Sequence, residues 1–103
     1  MPQGQLKTRE EVLDGTIHVP RHVVHRDFPA ETVVLNLNTG QYHGFNPVAG
    51  RMLETLERNG SVRESADLLA KEFEQPREVI ERDLCEFCVA LLERDLIIVD
   101  DPG

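Results

Sequence analysis

The sequence contains no tryptophan, and its aromatic residues are one Tyr and four Phe. That is too few rings for the stacking platforms that hold single-stranded nucleic acid. Only two cysteines are present, Cys85 and Cys88. Two are too few for a disulfide framework and read as free thiols. No apolar run approaches the roughly 18 residues of a transmembrane helix. The start, Met1-Pro2-Gln3-Gly4-Gln5, lacks the basic-then-apolar pattern of a signal peptide. A cytoplasmic protein without membrane contact is therefore expected. Positive charge is also scarce: 11 Lys+Arg stand against 19 Asp+Glu, a formal net charge of −8. Such a surface gains nothing from phosphate or anionic lipid. What is present is 103 residues, 40% of them apolar. That suffices for one domain with one small core, and not for a cofactor domain beside a substrate domain.

Residues 1–15 are mostly polar, with an apolar pair at Val12-Leu13, and read as a flexible arm or one loose turn ending at Asp14-Gly15. The domain proper is expected over residues 16–99, with a polar tail over 100–103. From Thr16 the composition shifts to β-formers. Thr16–Val19 forms a short strand stopped by Pro20, and His22–Arg26 forms a second extended piece closed by Pro29. Over Glu31–Asn38, Val33, Leu35 and Leu37 alternate with Thr32, Val34, Asn36 and Asn38, the period of a half-buried strand. Asn38-Thr39-Gly40 turns the chain, and Gln41–Phe45 returns as the hairpin partner. Asn46-Pro47 then opens a helix with Val48, Met52, Leu53 and Leu56 as its stripe, ended by Asn59-Gly60. Ser61-Val62-Arg63-Glu64 is a capping box opening a second helix, which Glu74-Gln75-Pro76 breaks. A third helix runs from about Pro76 to Arg94, and Leu96–Val99 reads as a final short strand. Strands followed by helices make an α+β domain, here winged-helix-like: a three-stranded antiparallel sheet followed by three helices.

Little in the sequence points to catalysis. There is no nucleophile elbow, phosphate loop or HExxH pair. Cys85 and Cys88 have CxxC spacing, but they sit mid-helix beside Asp83 and Glu86, where a thiolate is disfavoured. A zinc site would need two further ligands, which only a tertiary arrangement of His18, His22, His25 or His43 could supply. The pair therefore reads first as small core fillers, with metal or thiol chemistry as a lesser alternative. No catalytic residue, metal or cofactor is assigned.

The winged-helix outline raises a second function, that of a DNA-binding regulator, in which the third helix enters the major groove. Between Pro76 and Asp95 that helix carries Arg77, Arg82 and Arg94 against Glu78, Glu81, Asp83, Glu86, Glu93 and Asp95, a net −3. A helix of that sign is repelled by phosphate. A peptide surface fits better. The strand Gln41–Phe45 would lie at a sheet edge, offering unpaired N–H and C=O groups to an added strand, with the last helix as the other wall of a groove.

The stretches "ETVVLNLNTGQYHGFNPVAGRMLETL" and "VIERDLCEFCVALLERDLIIV" resemble the PqqD-like family, the RiPP recognition elements of ribosomally made, post-translationally modified peptide pathways. The resemblance covers about residues 17–99 and is most specific over Val34–Gly40, Tyr42–Asn46 and the spacing to Asp83-Leu84 and Leu91. Family members usually have Leu where Phe45 stands. The resemblance implies a non-catalytic, cytoplasmic adaptor. It would bind the leader segment of a precursor peptide as an extra strand and present it to a separate enzyme: a radical SAM enzyme, or a leader peptidase and cyclase in lasso-peptide pathways. Carried over by position, the peptide-binding residues are Gln41, Tyr42, His43, Gly44 and Phe45 on the strand. On the helix they are Val79, Arg82, Asp83, Glu86 and Phe87. The protein is expected to be a monomer or a strand-swapped homodimer.

Overall fold

The structure, a computed structural model, describes residues 8–100. In chain order the elements are α1 (Arg9–Asp14), β1 (Thr16–His18), β2 (Val23–Asp27), β3 (Thr32–Asn36), β4 (Tyr42–Phe45), α2 (Pro47–Asn59), α3 (Val62–Phe73), α4 (Arg77–Glu93) and β5 (Ile98–Asp100). The α+β order is as expected: the antiparallel sheet β2-β3-β4 precedes three helices. β1 stands outside that sheet and pairs antiparallel with β5, Thr16 opposite Asp100.

The expected arm is corrected over residues 9–14, which form a docked helix. Thr8 Oγ1 accepts from the Glu11 N–H at 3.1 Å, while Glu11 Oε1 accepts from the Thr8 N–H at 2.8 Å. This capping box satisfies two amides that a helix start otherwise leaves orphaned. Val12 and Leu13 then enter the core, at 0% and 6% exposure. Burying each stabilises by about 2 kcal/mol, which holds a helix too short to persist alone. Residues 1–7 of the expected arm lie outside the described residues, as do 101–103 of the expected tail. Asp100 belongs to β5.

β3 shows which face of the alternating strand is inside. Thr32, Val34 and Asn36 are buried, whereas Leu37 beyond the strand is exposed. Polar residues are tolerated on the inner face because each is satisfied. The Thr32 hydroxyl donates to Asp27 Oδ1 at 2.8 Å. Asn36 Oδ1 accepts from the Asn38 and Thr39 amides at 2.9 and 3.3 Å, holding the turn that Gly40 completes at φ +76. A Cβ at Gly50 would collide with Thr32 Oγ1, so this bare position lets α2 lie directly against β3.

The helices start and stop where local chemistry dictates. Asn46 Oδ1 caps α2 through the Ala49 N–H at 2.8 Å, Pro47 follows, and Gly60 ends the helix at φ +78. Met52, Leu53 and Leu56 are buried, but Val48 is not. At 100° per residue it lies roughly a quarter turn off their common direction. Ser61 Oγ accepts from the Glu64 N–H to open α3. Arg51 of α2 clasps the Glu72 carboxylate of α3 through Nε and Nη2, at 2.8 and 2.5 Å. That contact holds Glu72 below the usual carboxylate range and raises the Arg51 guanidinium. Ile80, Leu84, Cys88 and Leu91 of α4 complete the core with Leu53, Leu56 and Leu69.

Candidate functional site

β4 is an edge of the three-stranded sheet. Its hydrogen-bond phase follows from one contact: the Asn36 N–H donates to the Gln41 carbonyl at 2.9 Å. In an antiparallel pair, bonded and non-bonded positions alternate. With Val34 opposite His43 and Thr32 opposite Phe45, those two pairs are bonded like Asn36 and Gln41. Leu35–Tyr42 and Val33–Gly44 are therefore the non-bonded pairs. The N–H and C=O of Tyr42 and of Gly44 point away from β3, toward the open edge. Four main-chain groups face outward there.

The side chains of β4 divide between the two faces of the sheet. His43 and Phe45 share the inner face with Val34 and Thr32 and are half-buried, while Tyr42 is 73% exposed on the outer face beside Leu35. Phe45 meets Phe87 of α4 edge to face, ring centroids 5.5 Å apart and planes at 81°. That contact identifies the flank of α4 that borders the edge. Val79, Asp83 and Phe87 recur every fourth residue along it and are all half-buried. Arg82 and Glu86 lie farther round the helix from Phe87, on the other side of Val79. With Arg9, Cys85 and Val89 they line a cavity of about 290 Å³ on the α1 side of the helix. Gln41 precedes β4 and is exposed. Of the ten residues singled out from the sequence, the structure joins Phe45 of β4 to Phe87 of α4, puts Val79 and Asp83 on the same side of the helix as Phe87, and places Arg82 and Glu86 along the cavity beside Arg9.

One residue was not foreseen. Glu31 Oε1 lies 2.7 Å from where a Cβ on Gly44 would stand, so its carboxylate covers the outer face of the edge strand. The signal was its place two residues before Val33 in the alternating run.

Burial disfavours the thiolate of both cysteines. Cys88 is fully buried, and burial, aided by Cys85, pushes it up to about 12; burial also raises Cys85. The histidines do not converge on them. His18 lies 2.8 Å from Asp100 Oδ2, His22 3.0 Å from Asp95 Oδ2 and His25 2.7 Å from Glu57 Oε1. Among the described residues no group of three or more His, Cys, Asp or Glu is placed to hold a metal ion. Nor is any helix of those residues long and apolar enough to cross a membrane.

The family described as coenzyme PQQ synthesis protein D (PqqD) matches residues 31–97, from Glu31 through β4 to the turn before β5. The chain belongs to the PqqD family. Two solved structures share the fold of this PqqD-family protein. TbiB1 in complex with the TbiA(beta) leader peptide superposes with a TM-score of 0.72 at 32% identity, covering 78% of this chain and 93% of that one. Lasso peptide synthetase B1 complexed with the leader peptide gives a TM-score of 0.73 at 22% identity, over 81% of this chain and 98% of that one, a likeness of fold. No curated protein matches the chain.

Proposed function

We propose that this PqqD-family protein is a RiPP recognition element: a non-catalytic adaptor that binds the leader segment of a ribosomally made precursor peptide as a strand on β4. It presents the bound peptide to a separate modifying enzyme, whether a radical SAM enzyme, a leader peptidase or a cyclase, in the cytoplasm. The observation that carries this reading is the open edge of β4, with the amides and carbonyls of Tyr42 and Gly44 turned outward beside the Phe87 flank of α4. Backbone bonds supply affinity in such an arrangement, and pockets for alternate side chains supply selectivity. The solved relative at 32% identity, itself a leader-peptide complex, supports the same reading. Gln41–Phe45, Val79, Asp83 and Phe87 are the proposed contact residues. Arg82 and Glu86, which line the cavity beside Arg9, are proposed to lie outside that contact. A second copy paired through β4 would compete for the same groups, so the peptide-bound form is proposed to be monomeric.

The DNA-binding alternative lacks a reading surface. α4 carries two Arg against four Glu and one Asp, a net −3, and Arg77 is already held by Asp67 and Glu81.

The test is a titration of a fluorescein-labelled leader peptide from the neighbouring precursor gene, followed by anisotropy. Saturable binding at tens of micromolar or tighter is expected. Gly44→Pro, which removes an outward N–H, should weaken it by about tenfold while circular dichroism stays native. Absence of saturable binding, or full affinity in the folded variant, would refute binding at this edge.

A further inference from the structure

A strand laid along β4 has two faces, and only one of them meets α4. Residues directly opposite one another on adjacent strands project to the same side, with Cβ atoms about 4.5–5.5 Å apart. The peptide residue opposite His43 therefore turns toward the helix. Those opposite Tyr42 and Gly44, two positions apart whichever way the peptide runs, emerge on the outer face of the sheet.

That outer face is chemically distinct at the two positions. At the first, Val24, Leu35 and Tyr42 lie in one row across the three strands, with Val24 45% exposed and Tyr42 73% exposed. The row ends in an aromatic side chain with no neighbour beyond it. At the second, the row Arg26, Val33, Gly44 ends in a bare backbone, and Glu31 reaches across to fill the vacant side-chain position. Its carboxylate has no hydrogen bond or ion pair among the described residues. An exposed carboxylate beside an open strand edge favours a cation from whatever pairs there.

Resting on the strand-addition reading above, we propose that Glu31 and Tyr42 are specificity residues that read the peptide from the outer face. They select a segment with a Lys or Arg opposite Gly44 and an apolar or aromatic residue opposite Tyr42, one residue intervening. The order of the two is set by the direction of the added strand. The cation would pair with the Glu31 carboxylate. The apolar side chain would extend the Val24–Leu35–Tyr42 row by a fourth member.

The experiment is selection of displayed random decapeptides on the wild-type protein, Glu31→Lys and Gly44→Pro, with affinities of individual winners measured afterwards. Wild type should enrich a basic residue two positions from an apolar or aromatic one. Glu31→Lys should turn the basic preference into Asp or Glu at the same spacing, and a wild-type winner should bind it about two- to fivefold more weakly, the scale of an exposed ion pair. Enrichment that Gly44→Pro abolishes but Glu31→Lys leaves unchanged would overturn this inference and leave edge binding standing. Enrichment indifferent to Gly44→Pro, or none at all, would overturn both.

Discussion

Cys88 is a thiol that behaves as a hydrocarbon. It is fully buried and ionises only near 12, because its thiolate would have to exist away from water. A free cysteine ionises near ~8.5. The neutral thiol's contribution to stability is therefore full below about pH 8.5 and lost as pH rises toward about 12. At pH 8 the native protein should alkylate at Cys88 at least about a hundredfold more slowly than the urea-unfolded chain, read by peptide mapping after iodoacetamide. A native rate near that of a free thiol would mean the helix opens there or the thiol is activated. Gly44 acts at the same scale in the opposite way: what it lacks, a side chain, is what admits Glu31 to the edge.

Among the elements, α1 is held by the rest of the protein and gives little sign of itself in the sequence. Leu13→Ala should cost about 2–4 kcal/mol in urea unfolding, the cost of truncating a core leucine. A free arm would show a change within about 0.5 kcal/mol. The Thr8…Glu11 capping box was present in the sequence, but only two apolar residues follow it, and a six-residue helix draws its stability from what it docks against. α2 was legible at both ends because Asn46-Pro47 and Gly60 act locally. β3 was legible as a strand, since alternation is also local. Its orientation was not, because the bare Gly50 that makes room for Thr32 and the Asp27 carboxylate that accepts from its hydroxyl come from elsewhere in the chain. The same holds for α4. Its repeating apolar positions marked a helix, but only the Phe45–Phe87 contact shows which flank meets β4, and only the packing beside Arg9 shows that Arg82 and Glu86 line a cavity.

For the molecule as a whole, a net charge of −8 sets how partners arrive more than how tightly they stay. A basic peptide of the selected kind should associate several-fold faster at about 50 mM than at about 500 mM NaCl, with its dissociation rate nearly unchanged, in stopped-flow measurements. An association rate independent of salt would remove long-range attraction from the account. The same charge opposes the approach of a second copy to the edge of β4. On that edge stands Tyr42, the only tyrosine in a chain without tryptophan. Excited near 280 nm, the protein therefore emits from one known place, a side chain 73% exposed to water on the edge strand. A peptide that settles along β4 changes that residue's quenching and its rotational freedom. The protein thus carries an intrinsic optical reporter at its proposed working surface, and an unlabelled peptide lacking its own Tyr and Trp is enough to make it speak.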